Sequence, residues 1–438
     1  IMAVNTPNQT AESSNITKCL IYSNRGSGSQ DVSPGIVDFS YFESVLDTTV
    51  RFSIVIVDTG NSTESTNSEA VLYKLKLSGF EKVDLSFTDN FDNKLDFSGN
   101  NALYINKIRN IISHSEKTIF TIDLVSKEYL ANEFLKSEVY QRFDGEISTS
   151  VRSILSDILN TEKDIISDPT SNTLNFYGSG KKPFTLISEI GTKGVPQGGE
   201  STAGYFIFEN YNGFNFRSID ALFKSPVVKS FIYNSTTLLP KEYDAKIISY
   251  KSKKTIDVQE NLKSGAYGGR LETFNPYTHK FNPVSKNVEN EDQETKGGLE
   301  FSKISPDFSF YGSLSRRYYH RMDVGQVPSG NKTEQLKNRK KENLNSKDVI
   351  VQSAMSYNKI FSLSVDVTIP GDFSLRSGQL VYCDFPEQSS KRNIETDREL
   401  SGIYMICDIC HHITPGSSLT KMNLIRDSFG RNPSKGGS

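Results

Sequence analysis

Cys407-Asp408-Ile409-Cys410-His411-His412, "CDICHH", gathers thiols and imidazoles more densely than any other stretch of the chain. As a bare pattern it contains C-x-x-C-H, the attachment spacing of c-type haem, and its extra histidine could serve as a zinc ligand. The competing reading is a β-strand. Alternation over Ile403 to Ile413 sets Cys407 on one face with Ile403, Met405 and Ile409, and Cys410 on the other with Tyr404, Ile406 and His412. The two sulfurs are then expected to point apart. A redox C-x-x-C relies on a helix N-terminus to lower its thiol pKa, and a strand interior has none. Zinc needs a further ligand pair, but His114, His279 and His320 stand alone in the sequence. A haem needs an apolar, mostly helical pocket and usually a distal ligand. The stretch is therefore read as a strand.

Other chemical patterns fail one residue at a time. Gly199-Glu200-Ser201-Thr202-Ala203 misses the G-x-S-x-G nucleophile elbow at its last position, and no strand precedes it. Tyr177-Gly178-Ser179-Gly180-Lys181-Lys182 lacks the leading glycine and the closing Ser/Thr of a phosphate-binding loop. Asp89, Asp92 and Asp96 have no Glu at the twelfth position of a calcium loop and are read as turn residues. No catalytic, cofactor-binding or metal-binding residue is assigned, no cofactor is expected, and an enzyme is not expected.

Composition narrows the classes further. The chain has 438 residues, enough for several cores, and 50 Lys+Arg against 52 Asp+Glu leave a net charge of −2. There is no global basic field to hold nucleic acid. The basic run from Asn331 to Asp348 is interrupted by Glu334, Glu342 and Asp348 and reads as a solvated face. The cysteines, Cys19, Cys383, Cys407 and Cys410, are too few for a secreted disulfide framework, so reduced thiols are expected. The Asn-x-Ser/Thr triplets at Asn8, Asn15, Asn61, Asn234 and Asn331 matter only in a eukaryotic secretory pathway, and the N-terminal residues carry no signal-peptide pattern. No apolar run approaches the roughly 18 residues of a membrane span, so no membrane insertion is expected.

The elements that would position any function are mostly strands. "GIVDFSYFESVLDTTVRFSIVIVDTG" alternates apolar and polar residues, and "VLYKLKLSG", "KVDLSF", "ALYINKIRNII" and "KTIFTIDLVS" continue the pattern. From Lys127 to Asn160 the period becomes helical, predicting two helices around Asp144-Gly145, and "PFTLISEIG" predicts another. "AGYFIFENYNGFNFRSIDALF" predicts a hairpin at Asn212-Gly213 followed by a helical turn. Strands return in "VVKSFIYNS", "FSLSVDVTIPG", "GQLVYCDF", "SGIYMICDICHHI" and "SLTKMNLIRDS". Between them, residues 265–347 read as loose, with a helix from the basic run through "VIVQSAMSYNKIF".

The fold class expected is β-rich α+β, with two tube-like antiparallel β-barrel domains, an α+β insert domain and a loose helical/loop insertion. The boundaries are 1–15 polar tail, 16–126 first barrel, 127–224 α+β domain, 225–264 with 357–428 second barrel, 265–356 insertion and 429–438 polar tail. In this order the segments resemble the central baseplate hub protein of contractile-tailed bacteriophages, of the tail hub and late-control spike-hub family. The resemblance rests on the opening strands, on the "gf-F-E-n-Gf-F-S-id-L" segment with Glu209, Gly213 and Ser218, on "GDFSLRSGQLVYCDF", and on the closing hairpin with its Thr-x-x-x-Leu strand ending at Arg426. The cysteines are not part of that pattern. The resemblance implies a homotrimer in which two barrels per subunit make a pseudo-sixfold ring. Its implied partners are the central spike protein, tail tube or tube-initiator proteins and baseplate wedge proteins. DNA would pass through the lumen without specific binding, and the location would be the virion tail baseplate, assembled in the host cytoplasm. The alternatives are another β-rich tail or secretion-system subunit, a thiol or haem redox protein, and a carbohydrate-binding receptor protein.

Overall fold

The computed structural model describes residues 14–25, 28–59, 71–114, 117–198, 203–234, 239–254, 256–276, 278–287, 295–323, 331–338, 342–386, 397 and 399–430. The alternating segments near the start form strands at Asn15–Tyr22, Ser29–Asp31, Ile36–Ser44, Arg51–Asp58, Lys82–Thr88, Lys94–Phe97, Leu103–Ser113 and Thr118–Ser126. All pair antiparallel. Every second residue of these strands turns inward, which puts Phe39, Tyr41, Phe52, Phe87, Phe97 and Phe120 in one core. Tyr41 stacks on Phe52 at a centroid distance of 4.4 Å.

The second β unit is assembled from both sides of the insertion. Val227–Ile232 pairs with Leu380–Asp384, which pairs with Gly402–Thr414, then Ser417–Arg426, Leu363–Pro370 and Ser249–Lys254. Ala245–Lys246, just before the last of these, returns to Val227–Ile232. At that corner Ile247 N donates to Ile232 O (2.9 Å) and Ile248 N to Thr368 O (2.8 Å), so the hydrogen-bonded circuit runs back to its start. Phe231, Val365, Val367, Tyr404 and Leu424 fill its core.

One strand joins the two units. Gly402–Thr414 pairs along one edge with Ser417–Arg426. Its other edge changes partner. Gly402 to Met405 pair with Leu380–Asp384, whereas Asp408 to Ile413 pair with Ile36–Ser44. The register shifts between Ile406 and Asp408, a bulge in which Cys407 is the extra residue and its carbonyl accepts Val45 N at 2.9 Å.

The bulge corrects the face assignment expected from plain alternation. Ile409 joins Tyr404 and Ile406 in the second core, not the side of Cys407. His411 is buried against Tyr41, and Ile413 enters the first core. Cys407 packs with Ile403, Met405, Phe206, Phe208 and Leu222 in a further cluster that seats the α+β insert. Asp408, Cys410 and His412 pair on that same side of the sheet, so the two cysteines do not point to opposite faces. A single inserted residue inverts every position after it.

The insert has helices at Lys127–Ala131 and Ile147–Ser153, on either side of Asp144-Gly145, and at Pro183–Gly191. Its hairpin, Tyr205–Asn210 with Gly213–Ser218, turns at Tyr211-Asn212 and leads into the Ile219–Lys224 helix. Ser218 caps that helix by accepting Ala221 N at 3.1 Å. The region read as loose contains a three-stranded sheet, Gly268–Asn275, Lys280–Asn287 and Arg316–Arg321, packed on the Ser346–Ile360 helix. The expected single helix through the basic run is two, Lys332–Asn338 and Ser346–Ile360; residues 339–341 lie outside the described residues, as do the Asn8 and Asn61 triplets and most of Gly199–Ala203. Asp89 and Asp92 are turn residues as expected, but Asp96 lies in the Lys94–Phe97 strand.

Gly213 has φ +121°, and a Cβ there would lie 2.2 Å from Asp164 O. Gly213→Ala is expected to cost about 1–3 kcal/mol from backbone strain alone, before the clash. Urea unfolding checks this, and an unchanged midpoint would remove the glycine's role in the hairpin.

Candidate functional site

The thiols of "CDICHH" are held in the protonated form. Cys407 is buried, and burial followed by the Asp408 charge pushes its pKa far up. Burial pushes Cys410 up to about 11. Neither is a thiolate at neutral pH, the form that attacks or binds metal. His411 is fully buried, with Nδ1 3.0 Å from Thr420 Oγ1 and rings of Tyr41 and Phe373 at centroid distances of 5.7 and 5.1 Å. Burial, reinforced by Arg376, pushes it down to about 3, so the imidazole is neutral. His412 Nδ1 lies 3.0 Å from Ser40 Oγ on the opposing strand. Among the described residues no three His, Cys, Asp or Glu are grouped to hold a metal ion.

Buried charge instead clasps the units together. Glu209, on the hairpin, accepts Val50 N (3.1 Å) and Ser126 Oγ (2.6 Å) from the first β unit, and Lys163 Nζ (2.6 Å) from the insert. Lys163 also reaches Glu128 at 2.9 Å, and Glu128 accepts Thr161 Oγ1 at 2.7 Å. Burial pushes the Glu209 carboxyl up; Lys163 opposes this, and the like charge of Glu128 adds to it. For Lys163 burial works against the charge, but the two carboxylates outweigh it and its pKa rises. A second clasp centres on Glu43, which accepts Tyr41 Oη (2.5 Å), Tyr211 N (3.0 Å) and Ser377 N (2.8 Å). Arg376 sits 4.9 Å over the Tyr211 ring with its Nε 4.0 Å from Glu43, and donates to the carbonyls of Phe373 and Leu375. First unit, hairpin and second unit thus share carboxylates whose removal would strand buried partners.

Sequence reading assigned Glu209 only through the family segment and passed over Glu43 and Arg376. The available signal was phase. Glu43 falls on the inward parity of Phe39 and Tyr41, where a solvated acid has no place.

The clasped units carry one unbroken run of eight antiparallel strands. It passes from Leu103–Ser113 through Thr118–Ser126, Arg51–Asp58, Ile36–Ser44, Gly402–Thr414, Ser417–Arg426 and Leu363–Pro370 to Ser249–Lys254. One side covers the two cores, while the other is polar and floors a cavity of 720 Å3. Its charges mostly meet opposite charges. Arg109 forks onto Asp123 (2.8 and 3.0 Å), Arg51 pairs with Asp47, and Lys253 with Asp366 (3.0 Å). Asp408 accepts Ser44 Oγ at 2.5 Å, and Asn423 donates to Asp366 at 2.8 Å. Lys107 and Lys421 also line the cavity and have no ion-pair partner among the described residues. The face spans both halves of the molecule.

No protein-family model matches the sequence. No curated protein matches it either. Solved structures match in fold. The 43 kDa tail protein of prophage MuSo2 from Shewanella oneidensis has a TM-score of 0.51 at 7% identity, over 94% of this chain and 98% of that one. The tail protein from Neisseria meningitidis MC58 has a TM-score of 0.50 at 9% identity, over 96% of this chain and 97% of that one. The chain thus has the fold of phage tail proteins, the class to which the baseplate-hub resemblance points. The likeness extends over nearly all of both chains.

Two measurements test this interior. Glu209→Ala leaves Lys163 paired with Glu128 but strands Val50 N and Ser126 Oγ, and is expected to cost about 1–3 kcal/mol for each stranded donor in urea unfolding; a loss below about 1 kcal/mol in total would mean the clasp does not hold the units. His411 contributes a pH dependence of known sign. Its folded pKa lies near 3 and its ordinary value is 6.5, so between these the unfolded chain binds the extra proton. Stability is then complete above pH 6.5 and falls as pH drops, by up to about 1.4 kcal/mol per unit. Urea midpoints at pH 7 and 5 should converge in His411→Asn relative to the unaltered chain, and equal slopes would contradict the buried neutral imidazole.

Proposed function

We propose that the chain is the structural hub of a contractile phage baseplate, working by assembly and not by chemistry. The observation that carries this reading is the eight-strand run with a polar, charge-paired face extending through both β units. In the proposed assembly, three copies close into a ring, each supplying two tube-like barrel units, so a threefold spike below meets a sixfold tube above. The polar face lines the lumen. Pairing of Arg51, Arg109 and Lys253 there suits DNA passage, because unpaired cations bind phosphates and release counterions; Lys107 and Lys421 are balanced across the cavity by Asp408 and the other carboxylates that line it. The spike protein, tube or tube-initiator proteins and wedge proteins are the proposed neighbours, and the virion is the proposed location. The fold match to phage tail proteins supports a structural role in a tail. No described helix is long and apolar enough to cross a membrane.

Ring closure needs two complementary surfaces on each subunit. The run ends at two strands with open edges among the described residues, Leu103–Ser113 beyond Ile105 and Ser249–Lys254. These are the proposed meeting edges.

Native mass spectrometry of the chain, alone and with a candidate spike protein, tests the reading. A mass of three subunits is expected in at least one sample; a monomer in both would overturn it. The lumen has its own test. Asp366→Lys with Asp408→Lys is expected to create salt-sensitive retention of double-stranded DNA that the unaltered chain lacks, and retention by the unaltered chain would exclude a passive conduit.

A further inference from the structure

The three-stranded sheet within residues 268–321 has one side packed and one that no described residue covers. Leu271 on its central strand packs with Val351 and Met355 of the Ser346–Ile360 helix, and Tyr318 lies against them. Alternation then sends Arg270, Glu272, Arg317, Tyr319 and Arg321 to the other side. Register makes them neighbours, because Arg270 lies opposite Arg317, Glu272 opposite Tyr319 and Phe274 opposite Arg321. The third strand adds Phe281, paired with Phe274 at a ring distance of 4.9 Å.

Two properties of this side are unusual for a bare sheet. Its aromatics are exposed, with Phe281 at 64% and Tyr319 at 67%. Its charge opposes that of the whole chain. Glu272 is shared by Arg270 (3.3 Å) and Arg317 (3.7 Å), and Arg321 has no ion-pair partner among the described residues. Three arginines therefore face one carboxylate beside two open aromatic rings. Exposed Tyr, Phe and Arg together form the composition of binding hot spots.

We infer that this sheet face is a docking site for an acidic segment of a partner protein, with carboxylates on Arg317 and Arg321 and an apolar side chain between Phe281 and Tyr319. Charge complementarity fixes the sign of the occupant. Size fixes its kind: two eight-residue strands and one of six, at about 3.3 Å per residue and about 4.8 Å per strand, give a face of only about 350 Å2. That is well below the roughly 800 Å2 each partner contributes to a stable interface between globular proteins. An extended segment fits it, and a folded domain does not. The excess of two positive charges is also small for a nucleic-acid site, where several phosphates are neutralised together. The inference does not depend on ring formation.

The test uses the full chain and a fluorescent peptide of roughly eight residues alternating Asp and Leu, read by anisotropy, with the Lys/Leu peptide and double-stranded DNA as controls. Salt-sensitive binding of the acidic peptide alone is expected, weakened about tenfold or more in Arg317→Glu/Arg321→Glu and in Phe281→Ser/Tyr319→Ser. These side chains are exposed, so thermal unfolding of the variants should match the unaltered chain. Equal binding by the variants, or by the basic peptide, would overturn the site. Preferential binding of DNA, lost in the charge-reversal variant, would assign the face to nucleic acid instead. Self-association of the variants without loss of peptide binding would make the arginines guards of open strand edges and overturn the inference as well.

Discussion

The long sheet that spans the two β units depends on an edge of one strand changing partners at Cys407. An antiparallel ladder offers each strand two edges, and a strand with one partner per edge can belong to only one neighbourhood. By pairing first with Leu380–Asp384 and then with Ile36–Ser44, the Gly402–Thr414 strand belongs to two. The extra residue at the handover supplies the twist and the change of face that let Ile406 fill one core and Ile413 the other. The residues that look most like a metal or haem site are thus committed to a seam. A small, apolar, protonated thiol suits that place, packed among Ile403, Met405 and Leu222.

Buried carboxylates then fix the angle at which the parts meet. Apolar packing is tolerant of sliding, but the hydrogen bonds of Glu43 and Glu209 specify their partners by direction and distance. Each accepts from backbone or side-chain donors of separate units, so rotation of the insert would leave ionised or polar groups unpaired away from water. A rigid relation between the units is what a continuous polar wall requires.

Much of this fold was legible in the sequence where local chemistry determines local shape. Pro183 at the start of its helix and the long alternation through Leu363 to Ile369 each specify their element without outside help, and Asn-Gly places the hairpin one residue past its Tyr211-Asn212 turn. The bulge was not legible, because Cys407-Asp408 continues the apolar/polar alternation and only the pairing partner reveals the extra residue. The three-stranded sheet was hidden for a related reason. Lys280–Asn287 carries Pro283 and bare polar residues on both sides, a pattern that resembles a loop until its neighbour supplies the hydrogen bonds. The clasps are contacts between distant positions, such as Glu43 with Ser377, and no spacing rule reaches that far.

The seam also sets an order in time. The residues it joins are more than 360 positions apart, as the Ser44–Asp408 bond records. At about 5–20 residues per second, synthesis leaves the Ile36–Ser44 edge without its partner for on the order of half a minute. During that interval the first unit has a strand edge open to the wrong neighbour. Arrival of the C-terminal strand covers that edge and completes the long face in one event. A chain cut short before Gly402 would lack the strand that joins the two units, so the long face forms only after Gly402–Arg426 has been made.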